Sequence, residues 1–198
     1  MNKTIALVVT TALSLIAVSA QADTIPNAKA AELNLHRIER LVILKKIDAA
    51  YETNFKGLVL ADETPTKPGD PSFKVTSSEV AGADGTAHTL DVFLDNTGKE
   101  VSHQVNVGAD SVGAPTWPNA DAITLAEDSM HWLEDQGPTV AELTPYLNGL
   151  TALSLSPGKL ADGTQVAWVD IETTPTDPVL HVVLNLDGTF NSYQLNHR

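Results

Sequence analysis

His131, Glu134 and Asp135 place one imidazole and two carboxylates about a helical turn apart, a spacing at which N and O donors can converge on zinc or copper. No H-E-x-x-H pair and no second histidine four residues on accompanies them, so the sequence assigns no metal ligand. His103 falls between Val101 and Val105 on an apolar strand face, where a packed amphipathic ring is expected. His181 projects from the opposite face of its strand and reads as a solvated side chain. Asp95-Asn96-Thr97-Gly98-Lys99-Glu100 has the outline of a calcium loop, but Lys99 breaks the pattern and a hairpin turn explains it better. There is no cysteine and no G-x-S-x-G elbow, and the 12 glycines are scattered over turns rather than gathered into a phosphate loop. The expectation is therefore a non-enzyme with no catalytic residue and no cofactor. Of the aromatic residues, Trp117 and Trp168 are expected to pack, and Trp132 is the candidate for an exposed anchor.

Twelve Lys+Arg stand against 25 Asp+Glu, a formal charge of −13. Such a surface repels a phosphate backbone and anionic lipid, so neither nucleic acid nor a membrane surface is an expected partner. The 42% apolar content is enough for a packed core.

The N-terminus reads as a targeting segment. Lys3 supplies a basic start, Ile5 to Val18 is apolar or small, and Ala20-Gln21-Ala22 offers an A-x-A cleavage site. Residues 1–22 are expected to be a signal peptide cleaved after Ala22, giving a soluble exported protein, periplasmic or secreted. The apolar run is too short to span a bilayer, so no membrane anchor is expected after cleavage.

Behind that segment the chain reads as one unit written twice. Ile25-Pro26-Asn27-Ala28-Lys29-Ala30 parallels Trp117-Pro118-Asn119-Ala120-Asp121-Ala122 at an offset of 92, and Phe55-Lys56-Gly57-Leu58 parallels Leu147-Asn148-Gly149-Leu150 at the same offset. Leu90-Asp91-Val92-Phe93-Leu94 parallels Leu180-His181-Val182-Val183-Leu184 at 90. The expected organisation is repeat 1 over 23–107, a linker over 108–118 and repeat 2 over 119–198. Each repeat should open with a helix, capped by Asn27 or Asn119, with apolar stripes through Ala31, Leu35, Ile38, Val42 and neighbouring Leu41 and through Ala122, Leu125, Ala126, Met130 and Leu133. A short second helix should follow, started by Asp48 or by a Thr139-x-x-Glu142 capping box and ended by Gly57 or Gly149. The first strand of each repeat is expected from Phe73 to Val80 and from Gln165 to Ile171, with loops at 62–71 and 154–163. Hairpins should pair Leu94 with Val101, Val92 with His103 and Leu90 with Val105, and likewise Leu184 with Asn191, Val182 with Tyr193 and Leu180 with Leu195. The fold class is α+β, with each repeat a helix and a short helix on an antiparallel sheet of three or more strands.

A leading helix followed by a hairpin such as Leu90-x-Val92-Phe93-Leu94-Asp95-x-x-Gly98-Lys99 resembles the small exported PepSY-like domains, and the tandem layout resembles the beta-lactamase inhibitory proteins. The resemblance implies a non-catalytic exported module that binds or inhibits proteins or peptides, and it carries no site residue to this chain. The competing expectation is a periplasmic metal-handling protein or hydrolase using His131, Glu134 or His181.

Overall fold

The computed structural model describes residues 25–77, 80–81, 86–107 and 121–196. The predicted signal peptide, the linker, Trp117 and Asn119 lie outside the described residues. Element order is α1 (Asn27–Ile43), α2 (Ala50–Thr53), β1 (Gly57–Asp62), β2 (Phe73–Ser77), β3 (Val80–Ala81), β4 (Ala87–Leu94) and β5 (Glu100–Val107), then α3 (Ala122–Gln136), α4 (Thr144–Gly149), β6 (Ala152–Lys159), β7 (Gln165–Glu172), β8 (Val179–Asn185) and β9 (Phe190–Asn196). The class is α+β, as expected. Among the described residues no helix is long and apolar enough to cross a membrane.

All the strands join one antiparallel sheet. Its order runs β5-β4-β2-β1-β6-β7-β8-β9, with β3 pairing the start of β4 past the end of β2. At the centre β1 meets β6, with Gly57 opposite Ser154, Leu58 opposite Leu153 and Val59 opposite Ala152. Two further bonds extend the pairing, Leu60 N–H to Thr151 O at 2.8 Å and Leu155 N–H to Lys56 O at 2.7 Å. Alternate residues of the strands, among them Leu58, Val75, Val92, Leu153, Val169 and Val182, join the buried faces of α1 and α3 in one continuous core. The helices thus cover one face of the sheet and leave the other open.

The sequence reading misses β1 and β6. The strands at 73–77 and 165–172 are not the first of their halves, and residues 154–159 belong to β6 rather than to a loop. Pro157-Gly158 looks like a turn, yet Pro157 pairs with Ala167 inside β6. Strand N–H groups alternate between neighbours, and Leu155 N–H is used on the β1 side. Position 157 therefore faces that side too, beyond the paired part of β1, where a missing N–H breaks no ladder bond. Gly57 does not end a helix either. It begins β1, where a Cβ would lie 2.2 Å from the Leu153 carbonyl oxygen.

The caps differ as well. Pro26 precedes α1, and the Asn27 amide donates instead to Leu150 O at 2.9 Å, tying the first helix to the second half. Asp121 caps α3 by accepting the Ile123 N–H at 2.9 Å. Asp48 lies one residue before the N-cap, Ala49, and accepts the Ala50 N–H at 2.8 Å. There is no helix at the Thr139-x-x-Glu142 box. Thr139 Oγ1 donates to Gln136 O, and Glu142 accepts from the Tyr193 hydroxyl.

Both predicted hairpins form with an extra residue at the turn. Val92 meets His103 and Leu90 meets Val105, but a bulge places Leu94 opposite Glu100. Val182 meets Tyr193 and Leu180 meets Leu195, while Leu184 meets Phe190. Gly98 and Gly188 adopt φ of 81° and 84°, the left-handed position of a bulged hairpin rather than of a two-residue turn.

Gly57→Ala is expected to lower stability by about 1–3 kcal/mol, because its methyl must displace the β6 backbone. Urea denaturation checks this; a midpoint unchanged from the parent chain would show that the centre of the sheet yields without strain.

Candidate metal centre between two helices

The helices preceding β1 and β6 lie side by side over the joined sheet, α1 against α3. Their sequences place carboxylates and imidazoles at matching positions. Helix α1 carries Glu32-x-x-x-His36-x-x-Glu39, and α3 carries Glu127-x-x-x-His131-x-x-Glu134. Positions i, i+4 and i+7 fall on one helical face, so each motif forms a stripe. The two stripes face each other.

His36 is the meeting point. Its Nδ1 lies 3.1 Å from Glu127 Oε1 across the helix pair and 3.9 Å from Glu39 Oε2, and its Nε2 lies 3.5 Å from Glu32 Oε1. His131 Nδ1 lies 3.8 Å from the same Glu32 oxygen. Donor atoms of His36, Glu39 and Glu127 fall within 4.8 Å of one another, and so do those of Glu32, His36 and His131. Both imidazoles are exposed, Glu39 and Glu127 are half-buried, and Glu32 is buried. Solvent can therefore reach the donors while helix packing fixes their backbones.

Packing this many acids together perturbs them. Burial, reinforced by Glu39 and opposed by His36, pushes the Glu127 carboxyl up to about 7. Its Oε1 is buried without a hydrogen bond. Burial also raises Glu134, as does its hydrogen bond with Glu32. Burial alone would raise Glu32, but the Lys29 ammonium and the bond from Glu134 bring it below its ordinary value. Lys29 pairs with Glu32 and reaches within 3.8 Å of Glu134.

The structure redistributes the sequence candidates. His131 joins a donor group with Glu32 and His36, its partners coming from α1, whereas neither Glu134 nor exposed Asp135 is in either group. Glu32, His36, Glu39 and Glu127 were missed. The repeated spacing was the available signal, and it appears only at an offset of 95, not at the 92 given by the two Pro-Asn-Ala strings. His103 packs on the helix side at an edge strand, its Nδ1 2.7 Å from Glu100 Oε1, and Glu100 in turn pairs with Arg37. His181 sits on the opposite face, as expected, bonded to Asp170 at 2.6 Å. Trp132 stacks on Phe190 at 4.7 Å and is partly buried, whereas Trp168, expected to pack, is 41% exposed.

No protein-family model matches the chain, and no curated protein matches it. Among solved structures it is similar to a putative lipoprotein from Clostridium difficile 630, at 15% identity over 81% of this chain and 92% of the other, with a TM-score of 0.34.

The Glu127 shift has a pH consequence for chain held metal-free with EDTA. Its folded carboxyl keeps a proton to about 7 against an ordinary 4.5, so between these values the folded state binds more protons than the unfolded state. Stability attributable to this group is highest below the ordinary value and falls as pH rises toward 7. The groups acting on it are Glu39, His36, Asp128 and Asp121. Urea midpoints from pH 4 to 8 should show that decline in the parent chain, a flatter profile in Glu127→Gln, and a higher midpoint for the variant at pH 8. Parallel profiles would remove Glu127 as the cause.

Proposed function

We propose that the chain is an exported, non-enzymatic protein of two duplicated α+β units that binds a divalent transition-metal cation between its two long helices. The observation that carries this reading is the convergence of His36, Glu39 and Glu127 donors from two helices within 4.8 Å. One imidazole and two carboxylates are a hard-to-borderline N/O set suited to zinc and related divalent ions. An ion there would neutralise carboxylates that burial disfavours as anions.

Duplication is supported by register. At an offset of 95, Glu32 corresponds to Glu127, His36 to His131, Tyr51 to Tyr146 and Leu58 to Leu153, and the last two are paired across the centre of the sheet. Past the loops the offset becomes 90, where Val92 opposite His103 corresponds to Val182 opposite Tyr193, and the two hairpin bulges correspond. The units are those bounded by 23–107 and 119–198. Export rests on the sequence of residues 1–22.

Protein or peptide binding is the second reading, favoured by the helix-free face of the sheet, where Val59 and Trp168 are 53% and 41% exposed. Trp168→Ala would weaken any such capture without altering metal content.

Calorimetric titration of the chain with Zn²⁺ at pH 7.5 tests the metal reading. One ion per chain is expected, with His36→Ala abolishing stoichiometric binding while the far-UV circular dichroism stays unchanged. A parent chain that binds no zinc sinks it.

A further inference from the structure

The two donor groups share His36, and they meet it on different atoms. Nδ1 faces Glu127 Oε1 at 3.1 Å and Glu39 Oε2 at 3.9 Å, whereas Nε2 faces Glu32 Oε1 at 3.5 Å. A neutral imidazole has one N–H and one bare nitrogen, so it can offer a lone pair to one of these sides only. An ion held with Glu39 and Glu127 takes the lone pair of Nδ1. The ring proton then sits on Nε2, the nitrogen that faces Glu32. We propose that Glu32 is the positioning residue of this centre: its Oε1 accepts the His36 Nε2–H and fixes the tautomer that leaves Nδ1 free for the cation. The inference rests on the metal reading of His36, Glu39 and Glu127.

The surroundings of Glu32 suit an acceptor behind a ligand rather than a ligand. It is buried, whereas the His36 ring it faces is exposed. The Lys29 ammonium, one helical turn earlier, pairs with Oε2 and leaves Oε1 turned toward the imidazoles. A carboxylate that already has a cation attracts a second one less strongly. Glu39 and Glu127 have no lysine or arginine paired with them among the described residues, and their one shared neighbour of that kind is His36 itself. The ion therefore gains more on the Nδ1 side, and Glu32 is left to hold the ring from the other. A carboxylate bonded to the far nitrogen of a ligating histidine sets the ring orientation and makes the metal-bound nitrogen more basic.

Two measurements with Zn²⁺ as the probe test the role of Glu32. The first uses the unaltered chain labelled with ¹⁵N, in which long-range proton–nitrogen spectra report the state of each ring nitrogen. With zinc bound, His36 Nδ1 should take the shift of a metal-bound nitrogen and Nε2 that of a protonated one. Zinc on Nε2 overturns the proposal, because Glu32 would then be a ligand beside His131. The second is calorimetry on two variants. Glu32→Gln should bind zinc about 10–100-fold more weakly than the parent at the same stoichiometry, the usual loss when the carboxylate behind a ligating histidine is removed. Glu32→Asp keeps the charge but withdraws the oxygen, and should be weakened to a similar degree. Parent-like affinity in Glu32→Gln overturns the proposal, and so does parent-like affinity in Glu32→Asp, which would reduce Glu32 to a charge. If either variant loses far-UV circular dichroism, the spectra of the unaltered chain decide alone. A parent chain that binds no zinc overturns the metal reading itself, whereas the other adverse results leave zinc binding by the helix pair standing.

Discussion

The antiparallel contact of β1 with β6 is the constraint on which the rest of the molecule depends. Leu58 and Leu153 face each other at its centre, and the remaining strands are laid outward in opposite directions from that pair. Each of the two strands is preceded by a long and a short helix, so joining the strands brings α1 and α3 together on the same face of the sheet. Asn27 adds a direct tie by donating from the first turn of α1 to the carbonyl of Leu150, just ahead of β6. A cysteine-free chain has no covalent staple for its halves. A shared sheet and core replace one, since either half alone would expose a strand edge and an apolar helix flank.

Under the proposed duplication, corresponding places in the two halves show which positions this architecture fixes and which it leaves open. Central ones stay apolar in both, as Leu58 and Leu153, Leu90 and Leu180, and Val92 and Val182 do. Near the outer edges the same geometry is filled by different chemistry. Arg37, Glu100 and His103 form an ionic chain from α1 to β5, whereas the equivalent Trp132, Phe190 and Tyr193 form an aromatic cluster from α3 to β9. A side chain that keeps some solvent can be ionic without the full cost of desolvation, so either solution holds a helix to an edge strand. The helices also sit over the hairpin glycines alike. A Cβ on Gly98 would meet Leu33, and one on Gly188 would meet Asp128.

This explains what the sequence disclosed. Local signals sufficed for the helix stripes, for the cross-strand pairs Val92–His103 and Val182–Tyr193, and for the one-sided apolar face. The central strands were hidden because their reasons are non-local. Gly57 is required by the Leu153 carbonyl, almost a hundred residues on, and Pro157 is permitted only by where β1 stops pairing. The donor cluster was half legible. His131 could be placed on its helix, but nothing local says that His36 and Glu32 lie opposite. Anchoring the comparison on Pro26-Asn27-Ala28 and Pro118-Asn119-Ala120 put the motifs three residues out of step, which concealed their identity of spacing.

That spacing also argues against a merely structural seam. Two helices that only need to pack gain most from apolar contacts, and α1 and α3 already supply these through Leu35, Ile38, Met130 and Leu133. Four carboxylates drawn together beside that core add repulsion to the larger cost of burial, and the two together raise Glu127 and Glu134. A metal-free chain relieves it in two ways, by retaining protons and by lending Lys29 to one end. Neither relief neutralises the carboxylates around His36 at a pH above 7, so an added cation gains most there. An ion bridging α1 and α3 would bind only the folded arrangement, and its binding free energy would add to the cohesion of the two halves. In a chain of this size without disulfides, metal occupancy and the union of the halves would then be one equilibrium rather than two.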